Sequence, residues 1–157
     1  MPAPGQSSPY LLRPATVRDA PAVAQCVNAA YQHYMERMRV PPGPMTEDYE
    51  KVIRERRVTV AQCSGSIVGV LVLAITEEGF LLENVAVDPT LQGKGLGRTL
   101  LELAEAEALR EGFQSLYLYT HEKMTENQAL YAKIGYVEFD RQIVDGRARV
   151  YMRKPLR

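Results

Sequence analysis

Cysteine is scarce in this chain: only Cys26 and Cys63 are present, with no CxxC pair. That argues against a disulfide framework or a cysteine-built zinc site, and both residues are expected as reduced thiols. No sign of charge dominates. Lys and Arg total 19 and Asp and Glu total 19, so no net field draws the protein toward nucleic acid or an anionic membrane. Long apolar runs are missing as well. The longest, IVGVLVLAI at 67–75, falls short of the roughly 20 residues that cross a bilayer. Pro2, Pro4 and Gly5 stand where a signal peptide needs an apolar centre. A cytoplasmic protein with no membrane or nucleic-acid partner is expected. Internal repeats and low-complexity tracts are absent too.

What is present is one domain's worth of chain, 157 residues, in alternating strand and helix patterns. Residues 1–9, MPAPGQSSP, read as a loose tail, and the domain is expected to run from Tyr10 to residue 157. YLLRPAT gives a first strand. Thr16 and Asp19 form a capping signature for a helix from Asp19 to Met38, broken by PPGP at 41–44. Thr46 is expected to cap a second helix through Tyr49, Val52 and Ile53. Three hairpin-linked strands follow: VTVAQC, IVGVLVLAIT and FLLENVAVD. Next comes a long helix to about Glu111 with Leu100, Leu101, Ala104, Ala108 and Leu109 as its core stripe. SLYLYTH is a buried strand, Thr125 and Gln128 suggest a second capping box, and Asp145-Gly146 joins a last hairpin. The order is β-α-α-β-β-β-α-β-α-β-β. The crossover at 81–120 makes its two strands parallel while the hairpins make the others antiparallel, an α+β arrangement.

The stretch LQGKGLGR at 91–98 carries three glycines in five positions, with Lys94 and Arg98 among them. Glycines let successive N–H groups converge, and the helix that follows adds its positive end, so the segment suits an anion such as a phosphate. It does not have the nucleotide P-loop spacing, nor the GxGxxG spacing of dinucleotide folds. A tight strand-to-helix turn would use glycine too, but the two basic side chains favour a phosphate ligand.

Gln92, Gly95 and Gly97 match Q/R-x-x-G-x-G/A after an apolar strand ending in Asp88-Pro89. Asn127, Tyr131, Lys133, Gly135 and Tyr136 match N-x-x-x-Y-x-K-x-G-Y. In these two ordered blocks the chain resembles the GNAT superfamily of acyl-CoA-dependent N-acyltransferases from Tyr10 onward. The resemblance implies the GNAT fold, a central mixed and mostly antiparallel twisted sheet of about seven strands flanked by about four helices. It also implies acetyl-CoA as co-substrate and no metal. Gln92, Gly93, Lys94, Gly95, Leu96, Gly97 and Arg98 would hold the pyrophosphate. Val85, Ala86 and Val87 would hold the pantetheine arm as if it were another strand, beside a strand bulge the sequence does not show, and Asn127 would bond the arm.

The implied reaction is direct attack of a primary amine on the thioester in a ternary complex, without an acyl-cysteine. Tyr131 is the implied general acid, since a phenol keeps its proton at neutral pH. Glu83, in the apolar stretch FLLENVAV, is the candidate base, with burial expected to raise its pKa; the plainer reading is a strand-end carboxylate paired with an arginine. His121 is a weaker candidate for the same task. Tyr31 and Tyr34 are candidates for the acceptor site, whereas His33 and Glu36 read as solvated. A small-molecule or peptide amine is the expected partner, with the protein a monomer or homodimer. The competing reading is a non-catalytic acyl-CoA-binding regulatory module.

Overall fold

The computed structural model describes residues 9–38 and 40–156. Most of the expected N-terminal tail, residues 1–8, lies outside them. Seven strands form one sheet in the order β1-β2-β3-β4-β5-β7-β6. They are β1 (Leu11–Pro14), β2 (Arg57–Cys63), β3 (Ser66–Thr76), β4 (Gly79–Val87), β5 (Ser115–His121), β6 (Val137–Val144) and β7 (Arg147–Pro155). Four α-helices accompany them: α1 (Ala20–Tyr31), α2 (Tyr49–Glu55), α3 (Leu96–Arg110) and α4 (Thr125–Lys133). Element order is as the sequence implies. Only β4 and β5 run parallel, because α3 carries the chain between them; the other pairs are antiparallel. Two hairpin turns, at Ser64-Gly65 and Asp145-Gly146, have both central residues at positive φ, the twist that suits a two-residue connection.

The sheet is covered unevenly. Val23, Val27 and Val52 of α1 and α2 pack with Val60, Val70 and Val72 on one face. Leu96, Leu100 and Ala104 of α3 and Tyr131 of α4 pack with Leu71, Phe80, Leu116 and Met152 on the other. Close packing of α3 depends on Gly69, where a Cβ would stand 3.1 Å from Leu96 Cδ2 and 3.2 Å from the Ala61 Cβ.

Several local expectations are corrected. The first helix stops at Tyr31, and Gln32–Arg37 continues as a 3₁₀ segment pulled toward α4: Arg37 Nη1 and Nη2 reach the two carboxylate oxygens of Glu126 at 2.6 and 2.5 Å. Asp48, not Thr46, caps α2 through the N–H groups of Glu50 and Lys51, while Thr46 closes the preceding turn on the Gly43 carbonyl. Thr125 is already inside α4, and the Gln128 amide donates to the carbonyls of His121 and Glu122, so no second capping box forms. Leu109 turns outward at 44% exposure, and Leu96 takes the core place at the other end of α3.

Candidate active site

The site begins with one extra residue in β4. Val72 of β3 pairs with Asn84 and Leu73 pairs with Leu82, which leaves Glu83 opposite nothing. Side chains alternate along a strand, so an inserted residue reverses which face each later one occupies. Phe80 and Leu82 accordingly belong to the α3 side, whereas Ala86 belongs to the α1 side and Val85 and Val87 pack toward α3. The same irregularity ends the parallel pairing. β4 and β5 are matched only over Phe80–Leu82 with Leu116–Leu118; beyond that, 84–87 stays with β3 and 119–121 with β7. The sheet opens there into a V.

At the wide end of the V lies the glycine loop. Asp88 caps a short turn through Thr90, and the chain reaches α3 by way of Gly93 and Gly95, with φ of 82° and 93°. These positive values are left-handed backbone that glycine adopts without Cβ strain. The first N–H groups of any helix lack intrahelical acceptors, so the loop presents bare donors. Gln92, Lys94 and Arg98 are exposed, and neither Lys94 nor Arg98 forms an ion pair among the described residues. Leu96 contributes backbone alone, its side chain being in the core. A groove of about 680 Å³ runs from Gln92, Gly93, Gly97 and Arg98 past Val85, Ala86 and Val87 to Asn127 and Tyr131. That size falls in the range of roughly 300–1,000 Å³ typical of ligand sites. Lys94 is not in its wall.

Asn127 and Tyr131 lie four apart on α4, hence on one face. The Tyr131 ring is buried edge-on to Tyr136, at a centroid distance of 5.6 Å. Desolvation, with a smaller effect of Tyr34, pushes its phenol well above the usual range. Among the described residues its hydroxyl has no hydrogen-bond partner, yet it borders the groove. Asn127 Oδ1 accepts from the Tyr34 hydroxyl at 3.4 Å. Tyr34, paired with Tyr31 in the sequence reading of the acceptor site, therefore stands in the groove wall with His33; only Tyr31 borders both the groove and a second cavity.

That second cavity, about 220 Å³, meets the groove at Tyr31 and includes Glu83, Tyr49, Asn84, Tyr119, His121 and Arg149 in its wall. Asn84, unremarked in the sequence, holds the corner: it accepts from the Tyr31 hydroxyl at 2.8 Å and donates to the Tyr49 hydroxyl at 3.4 Å, which in turn donates to the Pro44 carbonyl. Glu83 is not isolated in apolar surroundings as its sequence context suggests. The bulge turns it toward Arg56, whose Nε donates to Oε1 at 2.8 Å. His121 Nδ1 accepts from the Lys123 N–H at 3.1 Å, and desolvation lowers its pKa from 6.5.

Helices on both faces of a sheet that parts between two parallel strands, beside a glycine-lined helix mouth, define the class as the acyl-CoA-dependent N-acyltransferase fold. An acetyltransferase from Elizabethkingia anophelis superimposes with a TM-score of 0.71 at 18% identity, covering 96% of this chain and 100% of that one. PaiA N-acetyltransferase from Thermoplasma acidophilum gives 0.71 at 18% identity, covering 93% and 98%. At these identities the likeness is one of fold. The sequence model of the Acetyltransferase (GNAT) family matches residues 27–136, and the chain belongs to that family. It is 38% identical over 84 residues to an IAA acetyltransferase of Azospirillum brasilense, covering 52% of this chain and 55% of that protein. It is 32% identical over 113 residues to a mycothiol acetyltransferase of Jonesia denitrificans, covering 71% of this chain and 34% of that protein. The matches thus span about half and about a third of those relatives.

Proposed function

We propose that the protein transfers the acetyl group of acetyl-CoA to a primary amine by direct attack within a ternary complex. The observation that carries this reading is the bulge at Glu83, which exposes one edge of the β4 backbone beside the glycine loop and opens a cavity on its far side. The glycine loop would hold the pyrophosphate on its N–H groups, and Val85 and Val87 would bond the pantetheine arm along the free strand edge. Asn127 would fix the arm from α4. Solved proteins of similar fold hold coenzyme A and acetyl-CoA, which accords with this placement.

In the reaction the amine nitrogen forms a bond to the acetyl carbon, the carbon–sulfur bond breaks, and the coenzyme leaves as its thiol. Three tasks fall to the protein. The main-chain N–H of Val85 is the proposed donor to the developing oxyanion. Tyr131 gives its proton to the departing sulfur, and its desolvated phenol stays protonated at physiological pH. Glu83 receives the amine proton through water, because Arg56 holds its carboxylate at the mouth of the cavity. An amine of pKa about 10.4 is neutral in only about one molecule per thousand near pH 7.4, so this removal matters to the rate.

Calorimetry with coenzyme A and thiol release from acetyl-CoA over an amine panel test the reading. Micromolar binding together with amine-dependent release is expected. Binding without release under any amine would leave a non-catalytic module.

A further inference from the structure

The cavity beyond Glu83 carries charge of both signs in an arrangement that selects its occupant. Seven arginines (13, 37, 54, 56, 57, 110 and 141) form ion pairs with carboxylates among the described residues. The two in the cavity wall, Arg147 and Arg149, do not. Arg149 lies over the Tyr119 ring at 3.9 Å and its Nη1 donates to the Tyr151 hydroxyl at 3.2 Å. Arg147 donates from Nε to the Pro41 carbonyl at 3.1 Å. Both are half-buried, and both are held by neutral partners that orient the guanidinium without cancelling its charge.

Carboxylates stand in the same wall. Glu83 at the bulge is matched by Arg56, which leaves Glu47 and Asp145 as the other carboxylates lining the cavity with Arg147 and Arg149. The fields of Arg149 on one hand and of Glu83 and Glu47 on the other are both felt at Tyr119, so the opposed charges flank one ring. Tyr119 sits on β5, between β4 with Glu83 and β7 with Arg149. Because β4 has already parted from β5 at this level, the opposed side chains face one opening, and all of them line the same cavity of about 220 Å³. A cation alone would meet the two unpaired guanidiniums, and a dianion would meet the carboxylates. An occupant with one charge of each sign satisfies both ends and leaves the wall balanced.

We propose that the acceptor is a zwitterion, a small primary amine carrying a carboxylate, with its amine directed to Glu83 and Glu47 and its carboxylate held by Arg149 with Arg147. This specifies the substrate class of the acetyl transfer proposed above and rests on that reading. The cavity volume of about 220 Å³ suits an amino-acid-sized molecule. The cavity opens past Glu47, Glu83, Tyr119 and Arg149 onto a wider surface groove, which gives the acceptor its entry.

The test compares acceptors that differ only at the acidic end: α- and ω-amino acids of increasing chain length, each beside its carboxamide and its parent alkylamine. For at least one chain length, kcat/KM for the acid is expected to exceed that for the amide at least about tenfold, the signature of one charge pair. Arg149→Gln should bring that ratio toward one, and Arg149→Lys should keep part of it. Arg141→Gln, on the exposed strand β6, should leave it unchanged. Coenzyme A affinity and melting temperature monitor folding of each variant. Equal use of acid and amide, or preference for the uncharged forms, overturns the zwitterion assignment while leaving acetyl transfer intact. Should no compound in the series be acetylated, calorimetric titration of the coenzyme-A-loaded protein decides the matter. Acid binding at least about tenfold tighter than amide binding, lost in Arg149→Gln, supports the proposal, and absence of that preference overturns it.

Discussion

The Tyr31 hydroxyl donates to Asn84 Oδ1 at 2.8 Å, fastening the end of α1 to the residue that follows the strand irregularity. Asn84 also donates to Tyr49 and is only 5% exposed, so its removal takes away the acceptor of the Tyr31 hydroxyl and leaves the buried Tyr49 hydroxyl with the Pro44 carbonyl alone. Asn84→Ala is expected to cost about 2 kcal/mol and to lower the melting temperature by about 4–8 °C. Thermal denaturation followed by circular dichroism measures this, and an unshifted midpoint would show that the corner is not held there.

Tyr131→Phe removes the proposed proton donor and little else, since the ring keeps its packing on Tyr136. Turnover is expected to fall by about 10²-fold or more, with coenzyme A affinity changed less than about twofold. Because burial raises the phenol, Tyr131 should produce no alkaline fall in kcat below about pH 10. Tyr136→Phe is the internal comparison. Its hydroxyl is buried without a partner among the described residues, so deletion should be neutral or stabilising and should not touch kcat.

Two substitutions separate backbone from ligand effects in the loop. A Cβ at position 95 meets nothing within 4 Å, but φ is 93°, so Gly95→Ala carries only the left-handed strain of about 1–2 kcal/mol. Gly95→Glu adds bulk and negative charge at the proposed pyrophosphate site. It should weaken coenzyme A binding by at least about 100-fold in calorimetry, whereas Ala should weaken it far less. Equal affinity in all three proteins would remove the loop from the binding site.

Acid sensitivity follows from two clamped carboxylates. Hydrogen bonds from Arg13, then from the Thr16 N–H, hold Asp19 at about 2, below its ordinary 3.8. A bidentate bond from Arg37 holds Glu126 at about 2, below 4.5. A lowered folded-state pKa contributes stability that is present above the unfolded value and disappears as pH falls through the folded one. Urea midpoints should therefore decline between about pH 4.5 and pH 2, and Asp19→Asn should flatten part of that decline. A wild-type midpoint constant across this interval would contradict both clamps.

The sequence announces the fold through features that repeat or punctuate. Asp145-Gly146 requires a hairpin, the Leu100–Ala104–Ala108 stripe requires a core-facing helix, and the strand-helix-strand crossover requires one parallel pair. The glycine loop is legible for the same reason: no side-chain packing explains three glycines with two cations. The bulge is not legible, because FLLENVAV has the composition of an uninterrupted strand and only the register with β3 exposes the extra residue. Missing it hides Asn84, which simple alternation would put on the face of Leu82. Arg149 is equally silent in sequence, since its place in the cavity wall depends on β7 lying beside β5, an order that hairpin logic alone does not supply.

The unmatched residue in β4 makes chain length, rather than side-chain chemistry, the sensitive variable at this point. Deleting Glu83, the single residue between Leu82 and Asn84, would let the ladder with β3 run on in phase, and Asn84 would then take up the alternation its predecessors set. The two sheet halves would pair further, and the opening between β4 and β5 would close at a stroke. Insertions in the exposed turns at Ser64-Gly65 or Asp145-Gly146 would cause no such shift, so tolerance to added or lost residues should map the strand irregularity as sharply as any substitution.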